Sequence, residues 1–130
     1  MIPTAKAKLL EGKRGLIAGI ANDSSIAWGC AKAFRALGCE LAVTFLNDKA
    51  KKFVEPLARE LKAPILMPLD VGASGQMEAV FDRIKKEWGR LDFLVHSIAF
   101  SPKEALGGRV TDVTREGFLT TMDISCWSFI

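Results

Sequence analysis

Gly19-Ile20-Ala21-Asn22-Asp23-Ser24-Ser25-Ile26-Ala27-Trp28-Gly29 joins a short apolar run, Arg14 to Ala18, to a segment of helical character opening at Ser25. A strand-like run that passes through one glycine into a helix is the first half of a β-α-β unit. Gly19 has no Cβ and can turn tightly off the strand. Ser25 and Ile26 can offer backbone N–H groups and a hydroxyl to an anion, because the first N–H groups of a helix lack internal acceptors. Gly29 is expected to let the helix pack closely on the strand. The stretch is not G-x-G-x-x-G, and taken alone it fits an ordinary strand-to-helix turn as well as a phosphate-binding one.

The same alternation continues outward. Ser25 to Leu37 reads as a helix with Ile26, Cys30, Ala33, Phe34 and Leu37 on one face, stopped by Gly38. Leu41 to Phe45 is a second strand. Lys49 to Leu61 is a second helix, with Phe53, Val54, Leu57 and Leu61 inward and Pro64 breaking it. Ile65 to Leu69 is a third strand. Ser74 is expected to cap a third helix, whose Met77, Val80, Phe81, Ile84 and Trp88 form one stripe ending at Gly89. Phe93 to Ser97, nearly all apolar, is expected to be a fourth strand covered on both faces. Phe100 to Thr111 reads as a loop over a site or a mobile lid. Thr114 caps a helix start, and Asp123 to Ile130 is amphipathic to the last residue, as if the chain ended mid-helix.

Strands alternating with helices predict an α/β fold, a Rossmann-type doubly wound parallel sheet in the order 3-2-1-4. Residues 1–130 are expected to form a single partial domain, the N-terminal part of a truncated sheet, with residues 1–10 as a solvated leader. The composition, 49% hydrophobic and 25% charged, is that of a globular chain. The net charge of +3 is small and the basic residues alternate with acids, so no nucleic-acid partner is expected. Apolar runs are too short to span a bilayer, and no signal peptide is legible in Met1 to Glu11. Cys30, Cys39 and Cys126 have no metal-type spacing and sit in apolar stretches, which suits a reducing cytoplasm and gives no metal site.

Two further strand ends carry candidate chemistry. Asp70-Val71 closes the third strand, where a carboxylate could accept from the exocyclic amine of an adenine; a turn or capping aspartate is the simpler reading of Asp70 alone. His96-Ser97-Ile98-Ala99-Phe100 closes the fourth strand. Ligands of open α/β sheets bind outside the carboxyl ends of strands where the order reverses, here between strands one and four. Gly19 and Ile98 would then flank one crevice. His96, the only histidine, is more simply structural, because nothing pairs it with a nucleophile.

The loop Gly19 with Ser25-Ile26-Ala27-x-Gly29 resembles the cofactor loop of the divergent short-chain dehydrogenase/reductases. Asn47-Asp48-Lys49, Asp70-Val71, Val95-His96-Ser97-Ile98, Thr114-Arg115-Glu116-Gly117-Phe118 and Asp123-Ile124-Ser125 extend the likeness to the NADH-dependent enoyl-acyl carrier protein reductases of bacteria. The resemblance runs from about Leu10 onward, and the His-Ser-Ile segment is its discriminating piece. It implies that Gly19, Ser25 and Ile26 hold the pyrophosphate of NAD, that Asp70 and Val71 hold the adenine, and that Ile98 lies along the nicotinamide ribose, with Ser97 and Ala99 also binding the cofactor. Phe100 and Ser101 would begin the loop bordering the acyl substrate. The family often has Gly at 99, Ala at 101 and Gln at 46, where this chain has Ala, Ser and Leu. Absence of an arginine after the second strand favours NADH over NADPH, against the nearby Lys49, Lys51 and Lys52.

By the same resemblance the substrate is a trans-2-enoyl thioester on acyl carrier protein, and the assembly is a homotetramer. The catalytic pair of the family is a tyrosine and a lysine with six residues between them. This chain contains no tyrosine, so no catalytic residue is assigned in it. The expectation is therefore the cofactor-binding part of a longer reductase, inactive alone. Another short-chain dehydrogenase acting on a ketone or alcohol, and a non-catalytic nucleotide-binding module, are the alternatives. An apolar fourth strand at the sheet edge and the apolar last helix predict that the 130-residue chain is poorly soluble or oligomeric.

Overall fold

A computed structural model describes residues 1–130 as two compact units, Met1–Ser97 and Ile98–Ile130. The first unit runs β1 (Arg14–Ala18), α1 (Ile26–Ala36), β2 (Glu40–Phe45), α2 (Asp48–Glu60), β3 (Ile65–Pro68), α3 (Gln76–Trp88) and β4 (Phe93–His96). Its four strands form one sheet in the order β3-β2-β1-β4, and every neighbouring pair is parallel. The predicted strand order and α/β class are those observed.

Strand register sorts the core. Ile17 pairs with Val43, and Val43 with Leu66, so these side chains share one face. On that face Ile17, Leu41, Val43 and Phe45 pack with Ala27, Trp28 and Ala31 of α1 and with Val54, Ala58 and Leu61 of the α2 segment. Leu16, Ala42 and Ile65, equally buried, point to the opposite face. Right-handed crossovers put α1 and α2 on one side of such a sheet and α3, which returns the chain from β3 to β4, on the other. Truncating a fully buried member such as Leu41 to alanine costs about 2–5 kcal/mol.

The structure corrects several local expectations. The buried face of α1 is Ala27, Trp28 and Ala31, whereas Ile26 is 82% exposed. Two apolar stripes exist on this helix, and the one with small alanines lets it approach the sheet. Phe53 is 63% exposed because Val54, Ala58 and Leu61 form the inward stripe of α2, and Phe53 lies beside it. Phe81 likewise lies off the buried stripe of Val80, Ile84 and Trp88. Helix α2 continues through Pro56 and ends before Pro64: Leu61 caps it and Lys62 takes a left-handed φ of 53°. The residue capping α3 is Gly75 rather than Ser74. Gly29 has open space around its Cα, so it does not serve close packing.

Strand β4 pairs only with β1, and Leu94 is 37% exposed, so this strand is not covered on both faces. The close approach in the sheet occurs at Gly15, where a Cβ would stand 2.1 Å from the ring of Phe93. That ring also meets Phe34 edge-on, with centroids 5.0 Å apart. Residues 1–10 contain neither helix nor strand and are mostly exposed, but the segment is tied to the first unit. Ile2 and Leu10 pack on the core, the Leu10 N–H donates to Leu37 O (2.9 Å), and Lys8 Nζ donates to Ala36 O (3.0 Å). A cation at the carboxyl end of α1 suits the helix dipole.

The second unit contains α4 (Lys103–Leu106), a 3₁₀ turn at Val110–Asp112, α5 (Arg115–Ser125) and a 3₁₀ turn at Trp127–Phe129. The expected loop from Phe100 to Thr111 therefore holds a helical turn of each kind. Thr114 caps α5 as expected, its hydroxyl accepting from Gly117 N–H at 3.1 Å. Helix α5 ends at Ser125 and a 3₁₀ turn follows at Trp127–Phe129, where one amphipathic helix was expected over Asp123 to Ile130.

Candidate functional site: the carboxyl ends of the parallel strands

Gly19 follows β1 with φ +111°, a conformation that side chains rarely adopt. A Cβ placed there would stand 2.0 Å from the carbonyl oxygen of Ser97, the residue after β4. The Ser97 N–H in turn donates to Ala18 O at 2.9 Å. The ends of β1 and β4 are thus pressed together, and only glycine permits it. The switch point expected between strands one and four exists in the first unit, and Gly19 and Ser97 meet there.

The turn after Gly19 is ordered from within. Ser25 Oγ accepts from the N–H groups of both Ala21 and Asn22, each at 3.0 Å, and Asn22 Oδ1 accepts from Ser24 N–H at 2.9 Å. Ser25 gives α1 no side-chain cap. Its hydroxyl faces the loop, so it does not compete for the first N–H groups of the helix, those of Ile26 and Ala27. Donors of that kind, at the positive end of a helix dipole, suit an anionic group. Asn22 was missed as a shaping residue. The run Asn-Asp-Ser-Ser is the signal that could have found it, since such side chains close local turns on their own backbone.

After β3, Asp70 shapes its own turn. Its Oδ1 accepts from Gly72 N–H at 2.9 Å, and its N–H donates to Gln76 Oε1 at 2.8 Å. Asp70 itself is exposed and Val71 half-buried. Gln76, the first residue of α3, is a second site-shaping residue that sequence spacing did not reveal. Between the turns after β1 and β3 lies the end of β2, followed by Leu46, which is exposed, and Asn47, whose Oδ1 caps α2 through Ala50 N–H at 3.0 Å.

Ile98 and Ala99 open the second unit, where they are half-buried and exposed respectively. Within that unit Phe100 is tied to α5 twice: its N–H donates to Ser125 Oγ, and its carbonyl accepts from the same hydroxyl, both at 3.0 Å. Ser101 Oγ and Thr121 Oγ1 are hydrogen-bonded at 2.8 Å, and Thr121 also donates to Gly117 O. Ser101, expected at a substrate border, therefore has a structural tie as well. His96 is half-buried at the end of β4.

The shifted acid–base groups lie elsewhere. Burial pushes the Cys39 thiol up, against Arg35 nearby. Asp92 is held below the usual carboxylate range, first by the Arg14 N–H and then by Arg90 and Lys13. At the strand ends the chain offers backbone donors, a glycine-enforced close approach and exposed polar turns. Such an arrangement can seat and orient a phosphate-bearing ligand.

The parallel sheet, its order and the glycine turn after β1 define an α/β protein of the Rossmann type. The family model for enoyl-(acyl carrier protein) reductase matches residues 19–130, and the chain belongs to that family. It is 52% identical over 121 residues to enoyl-[acyl-carrier-protein] reductase [NADH] 2 of Rhizobium meliloti (strain 1021), covering 93% of this chain and 45% of that protein. It is 45% identical to the corresponding NADH enzyme of Enterococcus faecalis (strain ATCC 700802 / V583), covering 93% of this chain and 48% of that one. Among solved structures it resembles the reductase of Anaplasma phagocytophilum in complex with NAD. There the TM-score is 0.91 and the identity 46%, covering 98% of this chain and 48% of the other. The chain spans about half the length of the curated relatives it matches.

Proposed function

We propose that residues 1–130 form the cofactor-binding part of an enzyme that reduces trans-2-enoyl thioesters on acyl carrier protein with NADH, in fatty-acid synthesis of the bacterial type. The observation that carries this reading is the 52% identity over 121 residues to a protein named as an NADH enoyl reductase. The contact of Gly19 with Ser97 supports it from the structure.

In this reading Gly19, Ser25 and Ile26 hold the pyrophosphate, through backbone N–H groups and a turn kept in shape by the Ser25 hydroxyl. Asp70 and Val71 hold the adenine. Ile98 lies along the nicotinamide ribose, Ser97 and Ala99 also bind the cofactor, and Ser101 borders the acyl substrate. Bound NADH would supply the hydride. The chain's own residues bind and orient it; none is assigned to proton transfer, since the 130 residues include no tyrosine. The reading includes a cytoplasmic location, consistent with three free cysteines, and assembly as a homotetramer. No helix is long and apolar enough to cross a membrane.

One other reading is a nucleotide-binding module without catalysis, since the strand-end turns offer backbone donors suited to holding an anion. The protein isolated from its own cells, given NADH and a trans-2-enoyl thioester, separates the two. Consumption of NADH supports the reductase. Saturable NADH binding without turnover favours the module, and absence of binding contradicts both.

A further inference from the structure

Strand β3 is an edge of the sheet and pairs only with β2. Just past its end the Leu69 N–H still donates to Phe45 O of β2, at 2.8 Å. The next N–H, that of Asp70, points to the other side, where an edge strand has no neighbour to receive it. Gln76 supplies the acceptor from the first turn of α3: its Oε1 takes the Asp70 N–H at 2.8 Å. The rest of Asp70 is committed to the same turn. Its carbonyl accepts from Ala73 N–H at 3.0 Å and its Oδ1 from Gly72 N–H at 2.9 Å. Among the polar atoms of Asp70, Oδ2 alone is left for a donor from outside the chain.

Asp70 is exposed, so water could satisfy its N–H at little cost. Water does not fix direction. The Gln76 side chain, half-buried and carried by α3, holds the peptide before Asp70 in one orientation, and the bond to Gly72 then fixes the carboxylate. A hydrogen bond is made only between about 2.7 and 3.2 Å, so a carboxylate loosened by a few tenths of an ångström loses its power to select a donor.

We propose that Gln76 is a positioning residue for base recognition: through the Asp70 N–H it sets the carboxylate that makes the site prefer a purine bearing an exocyclic amine over one with a carbonyl oxygen in its place. The proposal rests on the adenine contact of the NADH site described above. Gln76 acts through Asp70 and not through contact with the cofactor.

Calorimetric titration of the full chain with NADH and with reduced nicotinamide hypoxanthine dinucleotide, in which a carbonyl oxygen replaces the exocyclic amine, tests it. The parent is expected to bind NADH at least about tenfold more tightly. Gln76→Met keeps the length of the side chain but has no oxygen to accept the Asp70 N–H. It should bring the two affinities to within about threefold of each other, chiefly by weakening NADH. Gln76→Glu keeps an acceptor oxygen and should restore the parent ratio. A parent without preference, a Gln76→Met ratio like the parent's, or a Gln76→Glu ratio like that of Gln76→Met overturns the proposal and leaves the NADH site standing. Equal weakening of both nucleotides, or a Gln76→Met chain that no longer melts cooperatively, gives the bond a purely structural role and overturns it as well. Binding of neither nucleotide by the parent removes the NADH site itself, and the proposal with it.

Discussion

Gly19 and Ser97 touch backbone to backbone: the space a Cβ of residue 19 would need is occupied by the Ser97 carbonyl oxygen, 2.0 Å away. This contact draws the ends of β1 and β4 together and fixes the floor from which α1 begins. Gly19→Val should therefore lower stability by about 1–3 kcal/mol or more, from strained φ and overlap together. It should also abolish NADH binding. A melt and a titration run on the same sample check both, and an unchanged melting temperature would contradict the contact.

Gly29 offers the opposite case. It lies inside α1 with open space around it, so Gly29→Ala should stabilise the chain by about 0.5–1 kcal/mol. Urea unfolding of parent and variant measures this. A destabilised variant would mean that something packs against residue 29.

Asp70 has two separable tasks, the turn to Gly72 and the proposed adenine contact. Asp70→Asn keeps an oxygen for the turn but removes the charge, whereas Asp70→Ala removes both. We expect the alanine variant to weaken NADH binding by about 1–3 kcal/mol and the asparagine variant to melt close to the parent. If the alanine variant bound NADH like the parent, the carboxylate would serve the turn alone.

Asp92 gives a pH signature. Its carboxyl is held low by the Arg14 N–H and by Arg90 and Lys13, so its contribution to stability is complete above the ordinary carboxylate value. That contribution disappears as pH falls through the lower, folded-state value. The melting-temperature gap between parent and Asp92→Asn should be widest near neutral pH and close in acid. A gap that does not change with pH would assign it to packing.

How much of this was legible in sequence follows from what each signal measures. The β-α alternation and the turn at Gly19 were readable because short apolar runs and segments of helical period alternate and end in glycine or aspartate, and the strand order followed from the Rossmann class they point to. The buried face of α1 was not. Ile26, Ala27, Trp28, Cys30, Ala31 and Phe34 are apolar almost all round the helix, and only contact with the sheet selects Ala27, Trp28 and Ala31. The partnership of Gln76 with Asp70 was equally hidden, because a side chain reaching back six residues leaves no periodic trace. Among candidate site residues, Gly19 and Ser97 are brought together. Ser25 and Asp70 proved to be turn builders as well, and their hydrogen bonds to their own loops cannot be read from residue type.

The most direct test is an NMR titration of the isotopically labelled 130-residue chain with NADH. The account predicts that perturbed backbone amides gather at residues 19–27, 46–47, 70–72 and 97–99, the carboxyl ends of the four strands. Perturbations confined to other segments, or none at saturating NADH, would contradict it.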